Sequence, residues 1–238
     1  MFSYSLGREK SAIAKEKIKM RIMTFNTQQC RNYYTRELDY DVMAKAILDF
    51  DADVVGLNEM YGDQTVMLAM HSKMRNMFFA PALGAFGNGI LSKTPIRSAV
   101  NIPIPDPEPH AYNGYYETRC ILKAELKDGL TLLITHFGLN PDEKESAVKT
   151  VLKHLKDEKC LLMGDLNLRP EDPLLLPIRE RMKDAADLFD APKLSHPSDN
   201  PKAKIDYIFV SPDIEIVSAD IPAVVASDHR PHTAVIEF

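Results

Sequence analysis

Apolar residues along the chain alternate with polar ones, recur at helical spacing or run together in blocks, and these patterns divide it into elements. Met20–Phe25 alternates around Ile22 and predicts a strand ending at Asn26. From Glu37 to Phe50, Leu38, Met43, Ala46, Ile47 and Phe50 fall at near-helical spacing and predict an amphipathic helix. Asp51-Ala-Asp then turns the chain into a second buried strand, Val54–Leu57, followed by Asn58 and Glu59. The methionine-rich stretch Tyr61–Met77 predicts a helix whose methionines fill core. A strand at Ile90–Ser92 is entered through Gly87-Asn-Gly and closed by Pro95, and the prolines of Ile102–His110 predict an extended surface loop.

Lys127-Asp-Gly separates Arg119–Leu126 from Leu130–Thr135 and is a hairpin signal; the second strand runs into His136. Pro141 opens a helix to about Asp157 with Val148, Val151, Leu152 and Leu155 on one face. Cys160–Met163 is a continuous apolar block, as for a strand buried on both faces. Gly164 ends it, Asp165 and Asn167 project to one side of the extended backbone, and Pro170 stops any continuation. A shorter helix is predicted at Pro173–Met182 and a polar loop at Ser195–Lys204. Strands are predicted at Ile205–Val210, carrying Asp206, at Ile214–Ser218 and at Thr233–Phe238, the last preceded by Ser227-Asp-His-Arg-Pro. Strands outnumber helices, and hairpins mix with helical crossovers, which implies packed sheets with helices outside. No repeat, low-complexity tract or linker interrupts the chain. One domain is expected over residues 20–238, with residues 1–19 as an N-terminal extension, helical or disordered.

Composition narrows the function classes. The 238 residues are 45% hydrophobic and 26% charged, ordinary for a globular protein with a substantial core. A formal net charge of −5 argues against a broad basic face that grips duplex nucleic acid. Cys30, Cys120 and Cys160 lie far apart with no ligand spacing, as expected of reduced thiols in a cytoplasmic protein. No stretch approaches the ~20 apolar residues that cross a bilayer, and the first residues carry no apolar run like that of a signal peptide. A monomer is expected.

The recurring chemical event is a buried strand ending in a polar residue. It happens at Asn26, at Glu59, at His136, at Asp165 with Asn167, and at Asp228 with His229. Each has a bland reading: Asn26 as a turn residue, Glu59 as a helix-start acid, His136 as a satisfied core imidazole. Together the types complement one another. Carboxylates and carboxamide oxygens are the hard ligands that magnesium or manganese prefers, and two histidines could bind and protonate an anion. No cysteine/histidine spacing for zinc is present.

The segments TFN (24–26), LNEM (57–60), GNGILSK (87–93), THFGLN (135–140), GDLN (164–167), KIDYIFVS (204–211) and SDHRP (227–231) resemble, in the same order, the endonuclease/exonuclease/phosphatase superfamily. That superfamily includes deoxyribonuclease I-like nucleases, abasic-site endonucleases, inositol polyphosphate 5-phosphatases and neutral sphingomyelinases. GDLN and SDH with IDYIF between them are the most specific of these matches. The resemblance implies an α/β (α+β) four-layer sandwich, two packed mixed sheets flanked by helices. It implies a magnesium site, or a manganese one, with Glu59 as principal ligand and Asn26 and Asp228 nearby as direct or water-mediated ligands. Asp165 would orient or deprotonate the attacking water, and Asn167 would hold it or a phosphate oxygen. His229, oriented by Asp206, and His136 would contact the phosphate, with Glu117 and Arg119 supporting His136 and adding, with Asn140, substrate contacts. Asn58 stands where many relatives carry glutamine.

The reading is a metal-dependent phosphoesterase hydrolysing a phosphodiester or phosphomonoester by in-line attack of water. A phosphorylated small molecule, a lipid headgroup or a nucleic acid could be the substrate. A nuclease is the first alternative, its groove candidates being Arg31, Arg36, Arg75, Lys93 and Arg97; a non-catalytic binding module keeping the fold is the second.

Overall fold

The computed structural model describes residues 17–238. Most of the expected N-terminal extension, residues 1–16, lies outside the described residues, and the chain enters its first strand at Lys19. In chain order the elements are β1 (Lys19–Asn26), α1 (Tyr40–Phe50), β2 (Val54–Tyr61), α2 (Gly62–His71), β3 (Asn76–Leu83), β4 (Phe86–Ser92), β5 (Ile96–Ile104) and β6 (Arg119–Leu126). They continue with β7 (Thr131–His136), α3 (Pro141–His154), β8 (Cys160–Asp165), α4 (Leu176–Arg179), β9 (Lys183–Asp184), β10 (Asp206–Val210), β11 (Glu215–Asp220) and β12 (His232–Glu237).

The strands form two six-stranded sheets, ordered β11-β12-β1-β2-β4-β3 and β5-β6-β7-β8-β10-β9. Each has one parallel pair at its centre, β1 with β2 and β7 with β8, and every other pairing is antiparallel. The helices α1 and α3 are the crossovers that parallel pairing requires. Asp39 caps α1 by accepting the Val42 N–H at 3.1 Å, and Pro141 opens α3 while Glu143 Oε2 accepts the Asn140 N–H at 2.9 Å.

Three apolar layers follow. Ile22, Val54 and Ile90 of the first sheet meet Leu122, Ile134 and Met163 of the second. Outside the first sheet, Met23, Val55 and Leu57 pack on Met43 and Ile47 of α1 and Leu68 of α2. Outside the second, Leu133, Leu162 and Phe209 pack on Val148 and Val151 of α3. The result is the four-layer α/β sandwich, with two mixed sheets between helices. Gly164 is where the neighbouring strand leaves no room: its φ is +141°, and a Cβ there would lie 1.8 Å from the carbonyl oxygen of Thr135, its partner in β7.

The pattern-based element boundaries differ from the structure in several places. The predicted helix over Tyr61–Met77 stops at His71, and Asn76–Leu83 is an edge strand. Ile102–Ile104 belongs to β5, another edge strand, so the proline-rich loop starts at Pro105. The stretch Pro173–Met182 is a 3-10 turn, Pro173–Leu175, followed by the single turn α4. The strand at Cys160 runs through Gly164 to Asp165.

Candidate active site

The parallel pairs bring their carboxyl ends to one edge of the sandwich. Asn26, at the end of β1, lies beside Asn58 at the bulge of β2, and His136 lies beside Asp165 at the ends of β7 and β8. The antiparallel neighbours begin at that same edge. Asp206, first residue of β10, pairs with Asp165, and His232, first residue of β12, pairs with Thr24 just before Asn26. The segment Ser227–Pro231 leads into β12 and carries Asp228 and His229 to this edge. One topological fact therefore gathers polar groups from across the chain.

Asp165 is at the centre, buried. Its Oδ1 accepts the Asn167 N–H at 2.9 Å, and its Oδ2 accepts from Asn26 Nδ2 at 3.2 Å. The Nε2 atoms of His136 and His229 stand 3.5 and 3.6 Å from that same Oδ2. His229 Nδ1 is 2.9 Å from Asp206 Oδ2, and Asp206 is fully buried with its Oδ1 unpartnered. Burial opposes the charge on His229, but the carboxylates of Asp206, Asp165 and Asp228 outweigh it and raise its pKa to about 10. Burial likewise opposes ionisation of Asp206, and the His229 imidazolium outweighs it, holding this carboxyl below its ordinary range. Asp165 goes the other way: burial raises it, with His229 offsetting and Asp206 adding.

His136 differs from His229. Burial, then the charges of Arg119 and His229, hold its pKa well below the ordinary value, so the ring is neutral. Arg119 Nη1 lies 3.0 Å from His136 Nδ1, and a guanidinium only donates, so Nδ1 accepts and the ring proton sits on Nε2. That proton faces the Asp165 carboxylate, and the Asn167 carboxamide nitrogen, 3.2 Å from Nε2, donates instead to the Phe137 carbonyl at 3.1 Å. The expectation that two imidazoles could supply protons is thus corrected: one carries charge, and the other is a neutral N–H donor whose tautomer Arg119 sets. Glu117 pairs with Arg119 from the other side.

Glu59 sits at a bulge in β2, at φ +56°, where the pairing with β4 slips between Leu57 and Met60. Asn26 Nδ2 donates to Glu59 Oε1 at 3.0 Å, while its Oδ1 accepts the Gln28 N–H at 3.1 Å. The amide nitrogen of Asn26 therefore faces both acids. Burial raises the Glu59 carboxyl, the Asn26 bond offsets part of this and the Asp228 charge adds to it. Asp228 is half-buried and takes the Ser227 hydroxyl at 3.0 Å. Asn140 stands apart, at the start of α3. Its Nδ2 donates to the Tyr115 carbonyl at 3.0 Å and to Glu143 Oε2 at 2.8 Å, and it bonds to none of the other candidates.

Carboxylates outnumber cations at this edge, and Glu59 and Asp165 both have carboxyls raised by burial with no full counter-charge. Donor atoms of Asp165, Asp206 and His229 lie within 4.8 Å of one another, as do those of His196, Asp228 and His229. An acid-rich, oxygen-donating set of this kind fits a hard divalent cation.

Three contributors escaped the sequence reading. Asn58, which stands where many relatives carry glutamine, staples the two sheets. Its Oδ1 accepts the Asp165 N–H at 3.0 Å, and its Nδ2 donates to Thr135 O at 3.1 Å and to Asn88 Oδ1 at 2.8 Å. Asn88, inside the GNGILSK segment, passes the connection on to the Cys120 carbonyl at 3.0 Å. His196 lies with its ring centroid 4.6 Å from that of His229, pinned by two-way backbone bonds with Ala203. A titratable residue just ahead of KIDYIFVS was the available signal for His196; nothing local marked the two asparagines.

A mixed-sheet sandwich with acids and imidazoles gathered at one edge defines a class, and comparison with known proteins specifies it. Residues 23–229 match the model of the Endonuclease/Exonuclease/phosphatase family, and the chain belongs to that family, whose members are hydrolases acting on phosphate esters. No curated protein matches the chain by sequence. Among solved structures, an endonuclease/exonuclease/phosphatase from Beutenbergia cavernae is similar with a TM-score of 0.76 at 21% identity, over 92% of this chain and 72% of that one. A mannosyl-6-phosphatase from Bacteroides thetaiotaomicron has a TM-score of 0.75 at 15% identity, over 92% and 100%. TDP2 of D. rerio, complexed with a single-strand DNA product, has a TM-score of 0.68 at 17% identity, over 92% and 98%. At these identities the likeness is one of fold.

Proposed function

We propose that the chain is a divalent-metal-dependent phosphoesterase that hydrolyses a phosphate ester by in-line attack of water. The observation that carries this reading is the ring of nitrogen donors around one oxygen of Asp165, with the Asp206–His229 pair behind it and Glu59 and Asp228 beside it. Glu59 and Asp228 would hold the cation, and Asn26 would clamp Glu59 against Asp165. Magnesium or manganese bound there supplies Lewis acidity and neutralises charge on the phosphoryl oxygens.

The chain's own residues do the rest. Asp165, the only acid among the described residues that faces both imidazoles, orients the water and takes its proton. The His229 imidazolium donates to a non-bridging oxygen, where charge accumulates in the transition state, and Asp206 keeps that ring charged and oriented. His136, neutral, donates a second N–H from the opposite side, and Arg119, paired with Glu117, holds its tautomer. Asn167 fixes the carboxylate through its own backbone N–H. Asn140 would meet the substrate only at the rim.

A small phosphorylated substrate is favoured over a nucleic acid. Of the basic residues that could line a nucleic-acid groove, Lys93 is held by Asp51 and Asp53, and Arg97 by Glu125. The charge of these two is neutralised within the protein, whereas Arg31, Arg36 and Arg75 pair with no acid among the described residues; the net charge is −5. No helix among the described residues is long and apolar enough to cross a membrane.

Turnover of a phosphomonoester and phosphodiester panel, with wild type beside Asp165→Ala, tests the reading. Hydrolysis lost by orders of magnitude in a variant that keeps its circular dichroism supports it. Near-normal turnover by that variant overturns the role of Asp165.

A further inference from the structure

Hollows of 510 and 380 Å³ elsewhere on the molecule are lined by none of the candidate site residues. A smaller cavity of 230 Å³ is different. Its walls are Gln29, Tyr61, Phe86, Glu117 and Thr118. It adjoins the site on both sides: Tyr61 follows Glu59 by two residues, and Glu117 is the partner of Arg119, which touches His136.

Gln29 reaches the cavity at a conformational cost. Gln28, Gln29 and Cys30 have φ of 46°, 60° and 56°, three successive non-glycine residues in the left-handed conformation that side chains disfavour. The turn is tied to the site, for the Gln29 N–H donates to the Glu59 carbonyl at 2.9 Å. Strain of this kind persists where surrounding structure enforces it, and it accumulates at ligand clamps. The side chains of Gln29 and Thr118 make no hydrogen bond with the protein among the described residues, so their polar groups are open to a ligand.

The lining limits what can enter. The volume is below the ~300–1,000 Å³ of pockets for drug-sized ligands, enough for one ring. Tyr61 and Phe86 meet edge to face, with centroids 5.7 Å apart and planes at 66°, so they form a corner and not a parallel slot for a flat base. No lysine or arginine lines the cavity, so nothing in its walls would hold a second phosphate. A carboxamide, a carboxylate and a hydroxyl against an aromatic corner suit the hydroxyls and C–H faces of a saturated ring.

We infer that this cavity is the subsite for the organic part of the substrate, and that this part is a neutral hydroxylated ring, so that the substrate is a sugar or cyclic polyol monophosphate. The inference rests on the phosphoesterase reading above and names the substrate class of that site. The test compares kcat/KM for hexose 6-phosphates and myo-inositol 1-phosphate with that for methyl phosphate, which has no ring, and for a thymidine dinucleotide. One ring ester is expected to exceed methyl phosphate by ~100-fold, and Tyr61→Ala and Gln29→Gly to shrink that preference by about tenfold or more. Glycine suits the left-handed backbone at position 29, which separates loss of the carboxamide from loss of the turn.

A preference for the dinucleotide, or an undiminished ring preference in both variants, overturns the assignment. Methyl phosphate hydrolysed as well as every ring ester overturns it too, while leaving the phosphoesterase reading in place. Should no ester turn over, calorimetry decides: hexose 6-phosphate bound more tightly than inorganic phosphate, with the gain lost in Gln29→Gly, supports the cavity although the hydrolase reading falls. Equal binding of the two overturns it.

Discussion

Replacing Asp206 by asparagine removes a charge while keeping a shape. The asparagine oxygen can still accept the His229 Nδ1–H across 2.9 Å, so the ring keeps its orientation and loses only its counter-ion. The His229 pKa of about 10 against the ordinary 6.5 corresponds to roughly 5 kcal/mol of preference for the imidazolium, at ~1.4 kcal/mol per tenfold. Burial works against that preference, and Asp206 leads the carboxylates that produce it, ahead of Asp165 and Asp228. With two of the three left, about half is expected to disappear, roughly 2–3 kcal/mol, so kcat/KM changes little from this cause at pH 7 and the deficit grows toward ~100-fold as pH approaches and passes 10. The direction with pH follows from the sign. An imidazolium that must be charged is present below its pKa and lost as pH rises through it. Wild type should hold activity until pH approaches 10, and in Asp206→Asn the alkaline limb should fall to about pH 8. Steady-state kcat/KM from pH 5 to 10.5 for both proteins is the assay. Superimposable profiles would refute the claim that Asp206 acts through the charge on His229.

Other expectations follow from the same geometry. His232 is fully buried, with Nε2 unpartnered, and burial, reinforced by the Lys204 charge, lowers its pKa to about 4. The unfolded chain binds that proton near pH 6.5 and the folded one resists it, so stability falls as pH drops from 6.5 to 4, by up to about 3 kcal/mol. Urea unfolding at pH 7, 5.5 and 4 should show His232→Phe losing less over this window than wild type; parallel curves would contradict the assignment. Asn58→Ala strands the Asp165 N–H, the Thr135 carbonyl and the Asn88 oxygen between the sheets, which at ~1–3 kcal/mol per buried unpaired group should cost at least 3 kcal/mol. A melting temperature within a degree of wild type would show that the staple carries no weight.

Much of this was readable from the chain because the two central parallel pairs have strong signatures. Val54–Leu57 and Cys160–Met163 are apolar blocks of strands buried on both faces, the first followed directly by Asn58 and the second, after Gly164, by Asp165, both on the common edge. The strands absent from the sequence pattern are β3, β5 and the two-residue β9, each at the rim of its sheet. An edge strand hides fewer of its residues, as the mostly exposed pattern of β5 shows, so the period-two signal fades. It also tolerates proline, which is why Pro81 and Pro103 sit within strands. At the site, acids and imidazoles announce chemistry by type. Asn58, Asn88 and Gln29 do not. Their importance comes from what the opposing sheet or a strained turn places beside them, and no local spacing encodes that. The difference between His136 and His229 was equally hidden, because it depends on which charge, Arg119 or Asp206, faces each ring.

The central claim is that Glu59 and its neighbours hold a divalent cation that phosphoester hydrolysis requires. The most direct measurement is hydrolysis of the best ester in the panel after exhaustive chelation, then across a magnesium or manganese titration, with wild type beside Glu59→Gln. Activity should vanish on chelation and return with added metal in wild type, and Glu59→Gln should need at least tenfold more metal or fail to recover. Hydrolysis that persists without metal, or a Glu59→Gln titration that overlays wild type, would contradict the account.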